Sequence, residues 1–175
     1  LEVFGAVANG TAQMGHDAAY YHTGKSEGCA FFTAFPFGFT MGEMAAWIKH
    51  GNGQKLWDEL YAPFGIRGFQ AGSTGTQMFG WFRREIRSLA DLDGLKFRTP
   101  GNQGRVLQKL GVTPVSLPGG EIFPALQSGA IDGAEWVGPY NDLALGFYQV
   151  CRYYYSPGYH EPGPALQLTV NEQAW

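Results

Sequence analysis

With 175 residues, 45% hydrophobic and 15% aromatic, the chain suffices for one domain or two small ones and for a sizeable core. Only 15% is charged, the net charge is −3 and no Lys/Arg run occurs, which argues against disorder and against nucleic acid as a partner. The uncharged stretch between Glu27 and Glu43 contains Pro36 and several glycines and is shorter than the roughly 20 residues of a bilayer span.

Taken in chain order, residues 1–9 predict a helix and 12–16 a strand. A short helix or turn follows over 18–27, ending near Gly24. Cys29 to Phe35 is apolar apart from Thr33, the pattern of a strand buried on both faces. After a turn over 36–40, Met44, Trp47 and Ile48 share one helical face. A second helix shows Leu56, Leu60 and Phe64 at i, i+4 and i+8, with Trp57 and Tyr61 beside them. Strands are expected at 66–71 and 77–82, separated by the polar, glycine-rich GSTGTQ (residues 72–77). A strand at 95–98, a helix stopped by Gly111 and a strand at 112–115 form a strand–helix–strand unit, hence a parallel pair. A helix near 139–147, an aromatic strand at 149–155 and a strand at 166–170 complete the pattern. Strands and helices alternate, so the class is α/β. GSTGTQ is the first candidate for an inter-domain crossing and EWVGP (residues 135–139) the second.

Two segments look alike. With Val3 laid on Ile122, a shift of 119, Phe4 meets Phe123, Val7 meets Leu126 and Gly10 meets Gly129. Each reads as a helix stopped by a glycine and followed by a short strand that ends in polar groups, His16-Asp17 in one and Glu135-Trp136 in the other. Either the similarity is chance, or two related α/β units deliver strand ends to a shared place.

The first residue is not Met, and the chain starts inside a helical pattern. It ends at NEQAW, which reads as the opening of another helix with Asn171 as N-cap. It therefore reads as a piece of a longer protein, for which a missing signal peptide is uninformative. Cys29 and Cys151 are too few and too far apart for a metal knuckle; two buried thiols or one disulfide remain, with apolar surroundings favouring thiols.

Several residues can carry chemistry. Arg98 ends a predicted parallel strand, where ligands collect in open α/β sheets, and its planar fork suits a carboxylate. A surface salt bridge is the alternative. Glu135 also ends a strand and could hold a cation, act as a base or pair with Arg98, while Trp136 fits a core position. Gln77 is a neutral oxygen donor, so Gln77, Glu135 and a backbone carbonyl would suit a hard cation such as Na⁺ or Ca²⁺. His16, His22, His50 and His160 lack an accompanying nucleophile or metal motif and read as satisfied histidines. The glycines of GSTGTQ fit no phosphate-binding pattern.

LADLDGLKFRTPGNQG, the run from Leu110 to Val150 containing GEIFPALQSGAIDGAEW (residues 120–136), and YYYSPGYHEPG together resemble the solute receptors of tripartite ATP-independent periplasmic (TRAP) transporters. They are similar to the branch that binds 2-oxo acids or lactate with a cation. The resemblance implies a two-lobed α/β receptor of the type II periplasmic binding-protein kind, with mixed sheets, helices on both faces and a ligand clamped between lobes. Lobe I would span 1–71 with its N-terminal part missing, and lobe II 72–134. Residues 135–164 would return to lobe I with Trp136 at the hinge, and 165–175 would be a crossing strand and the start of a helix. Arg98 would hold the substrate carboxylate. Gln77, Glu135 and the Trp136 carbonyl would hold Na⁺ or Ca²⁺, with Gln77, Trp136, Tyr20, Tyr21 and Glu161 touching the substrate. No organic cofactor is implied. The expected partners are a small carboxylate, TRAP membrane subunits and, in the full-length protein, a second copy; the expected location is the periplasm. Two other readings stand beside it. One is a metal-assisted lyase or aldolase for 2-oxo acids, with Glu135 on the metal and His16 or His160 as base. The other is a ligand-sensing domain of a regulator.

Overall fold

The computed structural model describes residues 2–175. The chain divides into two compact units, Leu1–Thr76 with Pro162–Trp175 and Gln77–Glu161.

The first unit holds α1 (Val3–Ala8), β1 (Met14–Asp17), α2 (Met41–His50), α3 (Gly53–Tyr61), β2 (Ile66–Ser73) and β8 (Ala165–Asn171). β8 lies between β1 and β2 and is antiparallel to both. α2 starts at a capping box in which Glu43 accepts from both the backbone and the hydroxyl of Thr40, satisfying donors that a helix start leaves open. Phe4, Val7, Met44, Ile48, Trp57, Tyr61 and Ile66 form the core. Within it the Tyr61 hydroxyl donates to Gln167, Gln167 donates to Asp17, and Asp17 holds His22 at 2.6 Å. Burial, the largest cause, pushes the Tyr61 phenol well up, so it remains a donor.

The second unit is built on a five-stranded sheet in the order β5-β4-β6-β3-β7. Its strands are β3 (Gly80–Phe82), β4 (Lys96–Arg98), β5 (Thr113–Val115), β6 (Gly133–Ala134) and β7 (Tyr153–Tyr155). β4 runs parallel to β5 and β6, whereas β3 is antiparallel to β6 and β7. Alternate residues face opposite sides of a sheet, and two cores result. Phe82 and Phe97 join Leu107 of α4 (Gly101–Gln108). Trp81 and Ala134 join Ile122 and Leu126 of α5 (Gly119–Ser128). Gly129 ends α5 at φ +77°, a left-handed conformation that glycine takes without steric cost. α6 (Pro139–Leu145) follows β6.

The repeated helix–glycine–strand unit is present in both places, α1 to β1 and α5 to β6, but β1 pairs antiparallel with β8 while β6 pairs parallel with β4. Four expectations are corrected. Residues 29–35 are not a strand: a 3₁₀ helix runs over Glu27–Phe32, with the Ser26 hydroxyl accepting from the Gly28 amide, and Phe31 and Phe35 are exposed. α3 buries Trp57 and Tyr61 rather than Leu56, which is 47% exposed. The chain does not return to the first unit at 135; β7 pairs with β3, and the second unit runs through Glu161. EWVGP is therefore no crossing, whereas GSTGTQ ends at the division between Thr76 and Gln77.

Cys29 and Cys151 are buried free thiols. Burial pushes the Cys151 thiol up to about 11 and raises that of Cys29. The thiolate is the nucleophile, so iodoacetamide at pH 7.5 should leave both unmodified in the native protein and alkylate both after unfolding, as read by intact mass.

Candidate functional site

β4 and β6 are parallel neighbours, with Arg98 opposite Ala134. Their carboxyl ends therefore bring Arg98 and Glu135 together although 37 residues separate them. Arg98 Nη1 donates to Glu135 Oε1 at 2.7 Å and to the Glu135 carbonyl at 2.9 Å, and Nε donates to the Leu117 carbonyl at 3.0 Å. The two side chains are 2% and 1% exposed. The Trp136 ring centroid lies 5.2 Å from the guanidinium carbon, within cation–π range. Arg98 is thus a buried group and not a surface salt bridge.

Glu135 spends only one carboxylate oxygen on Arg98. Oε2 is buried and has no hydrogen-bond partner. His160 Nε2 approaches it to 3.9 Å, too far for a hydrogen bond, and neither ring nitrogen of His160 is hydrogen-bonded. Among the described residues, Glu135, His160 and Glu161 bring one ligand atom each to within 4.8 Å of one another, and all three are buried. Gln77, 4% exposed, is stitched to this group by its backbone. Its amide donates to the Glu161 carbonyl and its carbonyl accepts from the Gly158 amide, both at 3.0 Å. A Cβ on Gly158 would lie 2.3 Å from the Gln77 oxygen, so only glycine permits that approach.

A charged oxygen without a partner in a dry interior is costly. A hard cation prefers carboxylate, side-chain amide and carbonyl oxygens. Two carboxylates, an amide side chain and the following strand-end carbonyl match that preference, and Glu135 Oε2 has an unmet need for positive charge. The residues therefore fit a hard cation.

Tyr20 and Tyr21 lie in the first unit on a 3₁₀ turn (Ala19–His22), where the Tyr20 amide donates to Thr33 Oγ1. His16 is exposed and reaches the Ala71 carbonyl at 3.1 Å, and His22 is satisfied by Asp17. His160 is not a satisfied histidine: it is a buried member of the carboxylate cluster with neither ring nitrogen hydrogen-bonded. Its adjacency to Glu161 was the available signal.

Sequence reasoning also missed Asp142, which is 1% exposed and accepts four hydrogen bonds. Oδ1 accepts the amides of Val137 (3.1 Å) and Gly138 (3.0 Å). Oδ2 accepts Trp81 Nε1 (2.9 Å) and the Tyr154 hydroxyl (2.8 Å). Burial first, then the Asp142 carboxylate, raise the Tyr154 phenol far above its ordinary range, so it stays a donor.

Residues 1–175 match DctP, the bacterial extracellular solute-binding protein family 7. The chain belongs to this family. Family 7 proteins bind solutes and are not enzymes. The chain is 50% identical over its whole length to 48% of a monocarboxylate 2-oxoacid-binding periplasmic protein of Nostoc sp. strain PCC 7120. It also resembles the crystal structure of a TRAP periplasmic solute-binding protein from Pseudoalteromonas atlantica T6c with bound sodium and pyruvate. There the identity is 47% and the TM-score 0.96, over 99% of this chain and 52% of that one. A counterpart from Colwellia psychrerythraea with bound calcium and pyruvate gives 48% and 0.96, over 99% and 53%. The chain thus spans about half the length of these relatives.

Proposed function

We propose that the full-length protein is an extracytoplasmic TRAP receptor that binds a small 2-oxo monocarboxylate of the pyruvate class together with a hard cation and hands it to membrane subunits. The observation that carries this reading is the buried Arg98–Glu135 pair, whose second carboxylate oxygen lacks a partner beside Glu161. Pyruvate bound with sodium or calcium in the Pseudoalteromonas and Colwellia proteins supports it.

In this reading Arg98 meets the substrate carboxylate. Glu135, Gln77, Glu161 and the Trp136 carbonyl hold the cation, and the cation meets the substrate oxygens. Tyr20 and Tyr21 are proposed as substrate contacts on the resemblance alone. Sodium and calcium both prefer such oxygen donors.

Calorimetric titration of pyruvate into EDTA-treated full-length protein, with and without added calcium or sodium, tests the reading. Pyruvate should bind at least about tenfold tighter with a cation present, a gain of about 1.4 kcal/mol. Equal affinity in all three conditions, or no binding in any, contradicts it.

A further inference from the structure

Asp142 performs more than one task. Its bond to the Gly138 amide sits at the start of α6 and is an ordinary way of holding a helix entry. Its bond to the Val137 amide reaches further back, to the peptide unit that joins Trp136 to Val137. A trans peptide is planar, and its N–H and C=O point in opposite directions. Holding the Val137 N–H against Asp142 therefore turns the Trp136 carbonyl oxygen to the side away from Asp142. The next peptide is held as well, because the Val137 carbonyl accepts the Met78 amide at 3.0 Å. The other oxygen of Asp142 accepts from Trp81 and Tyr154, on the side away from these two peptides' amides.

We propose that Asp142 is a positioning residue for cation binding, which aims the Trp136 carbonyl at the cation and raises the negative charge on its oxygen. This rests on the reading of the site given above. An ionised acceptor makes a stronger hydrogen bond than a neutral one. Hydrogen bonds polarise one another in a low-dielectric interior, so a carboxylate at the N–H end of a peptide enriches the oxygen at the other end. Groups placed behind metal ligands commonly shift metal affinity in this way. The neighbouring bonds make a control available. Trp81 and Tyr154 touch only Oδ2, so losing one of them loosens the packing but leaves the Val137 contact in place.

The test is calcium titration of the ligand-free full-length protein by calorimetry, comparing wild type, Asp142→Asn and Tyr154→Phe. The asparagine keeps the shape but loses the charge and opposes two of the four donors. Calcium affinity should fall about tenfold or more in Asp142→Asn. Tyr154→Phe should stay within about twofold of wild type while melting at a lower temperature, since only a peripheral hydrogen bond is lost. If both variants melt early and both bind calcium as wild type does, Asp142 is merely structural and the proposal is wrong. If wild type itself binds no calcium, this inference fails, whereas the receptor reading stands or falls on the pyruvate titration described above. A second measurement needs no variant that must fold. In the ligand-free wild type, the Val137 amide should be protected from hydrogen exchange, and its proton resonance should move downfield as calcium is added. An amide that exchanges at the open-chain rate, or does not move with calcium, overturns the proposal.

Discussion

Arg98→Ala should abolish pyruvate binding and destabilise the protein by about 3–5 kcal/mol, the range for breaking a buried ion pair from one side. Both effects have the same origin. The guanidinium is almost fully buried and donates to the Glu135 carboxylate, the Glu135 carbonyl and the Leu117 carbonyl. Its loss strands the Glu135 carboxylate in the interior and removes the positive charge expected to meet the substrate. The variant should therefore show a lower urea midpoint as well as no calorimetric signal with pyruvate. Arg98→Lys separates the two contributions. Lysine restores a charge but not the planar fork, so stability should recover in part while pyruvate affinity stays at least about a hundredfold below wild type, a loss of about 2.7 kcal/mol. Wild-type affinity in either variant would remove Arg98 from the site.

Glu135→Gln should have the second largest effect, on the cation. The amide is nearly isosteric, and its oxygen can still accept from Arg98 Nη1, so the fold should survive. The charge at Oε2 is lost, however, and a calcium ion loses a carboxylate ligand in a place that water does not reach. Calcium affinity should fall by about two orders of magnitude, again about 2.7 kcal/mol. Pyruvate affinity measured at fixed low calcium should fall in step with it. Titrations at several calcium concentrations distinguish this from a direct effect on the acid. A direct effect persists at saturating calcium, whereas an effect through the cation is recovered there.

Much of this site was legible along the chain because its two principal residues sit at strand ends. The run LKFRTPG marks a strand closing on Arg98, and AIDGAEW marks a strand closing on Glu135; a parallel pair brings such ends side by side. The glycine stop at Gly129 and the β4–α4–β5 unit were readable for similar local reasons. What failed was non-local or ambiguous in period. A nearly unbroken apolar run has no alternation to separate strand from helix, and residues 29–35 proved to hold the end of a 3₁₀ helix and two exposed phenylalanines. The stay of residues 135–161 in the second unit depends on β7 finding β3, a pairing across some 70 residues that no local pattern announces. His160 was read as a satisfied histidine and Asp142 was not singled out, because their surroundings include partners distant in sequence: Glu135 for one, Trp81 for the other.

The central claim is that Glu135 divides its carboxylate, one oxygen on Arg98 and the other on a cation. A crystal structure of the full-length protein with calcium and pyruvate, with anomalous data collected for calcium, examines it directly. The account predicts a calcium peak bonded to Glu135 Oε2 at about 2.3–2.6 Å, with the pyruvate carboxylate on Arg98. A calcium peak away from Glu135, or pyruvate bound with no contact to Arg98, contradicts it.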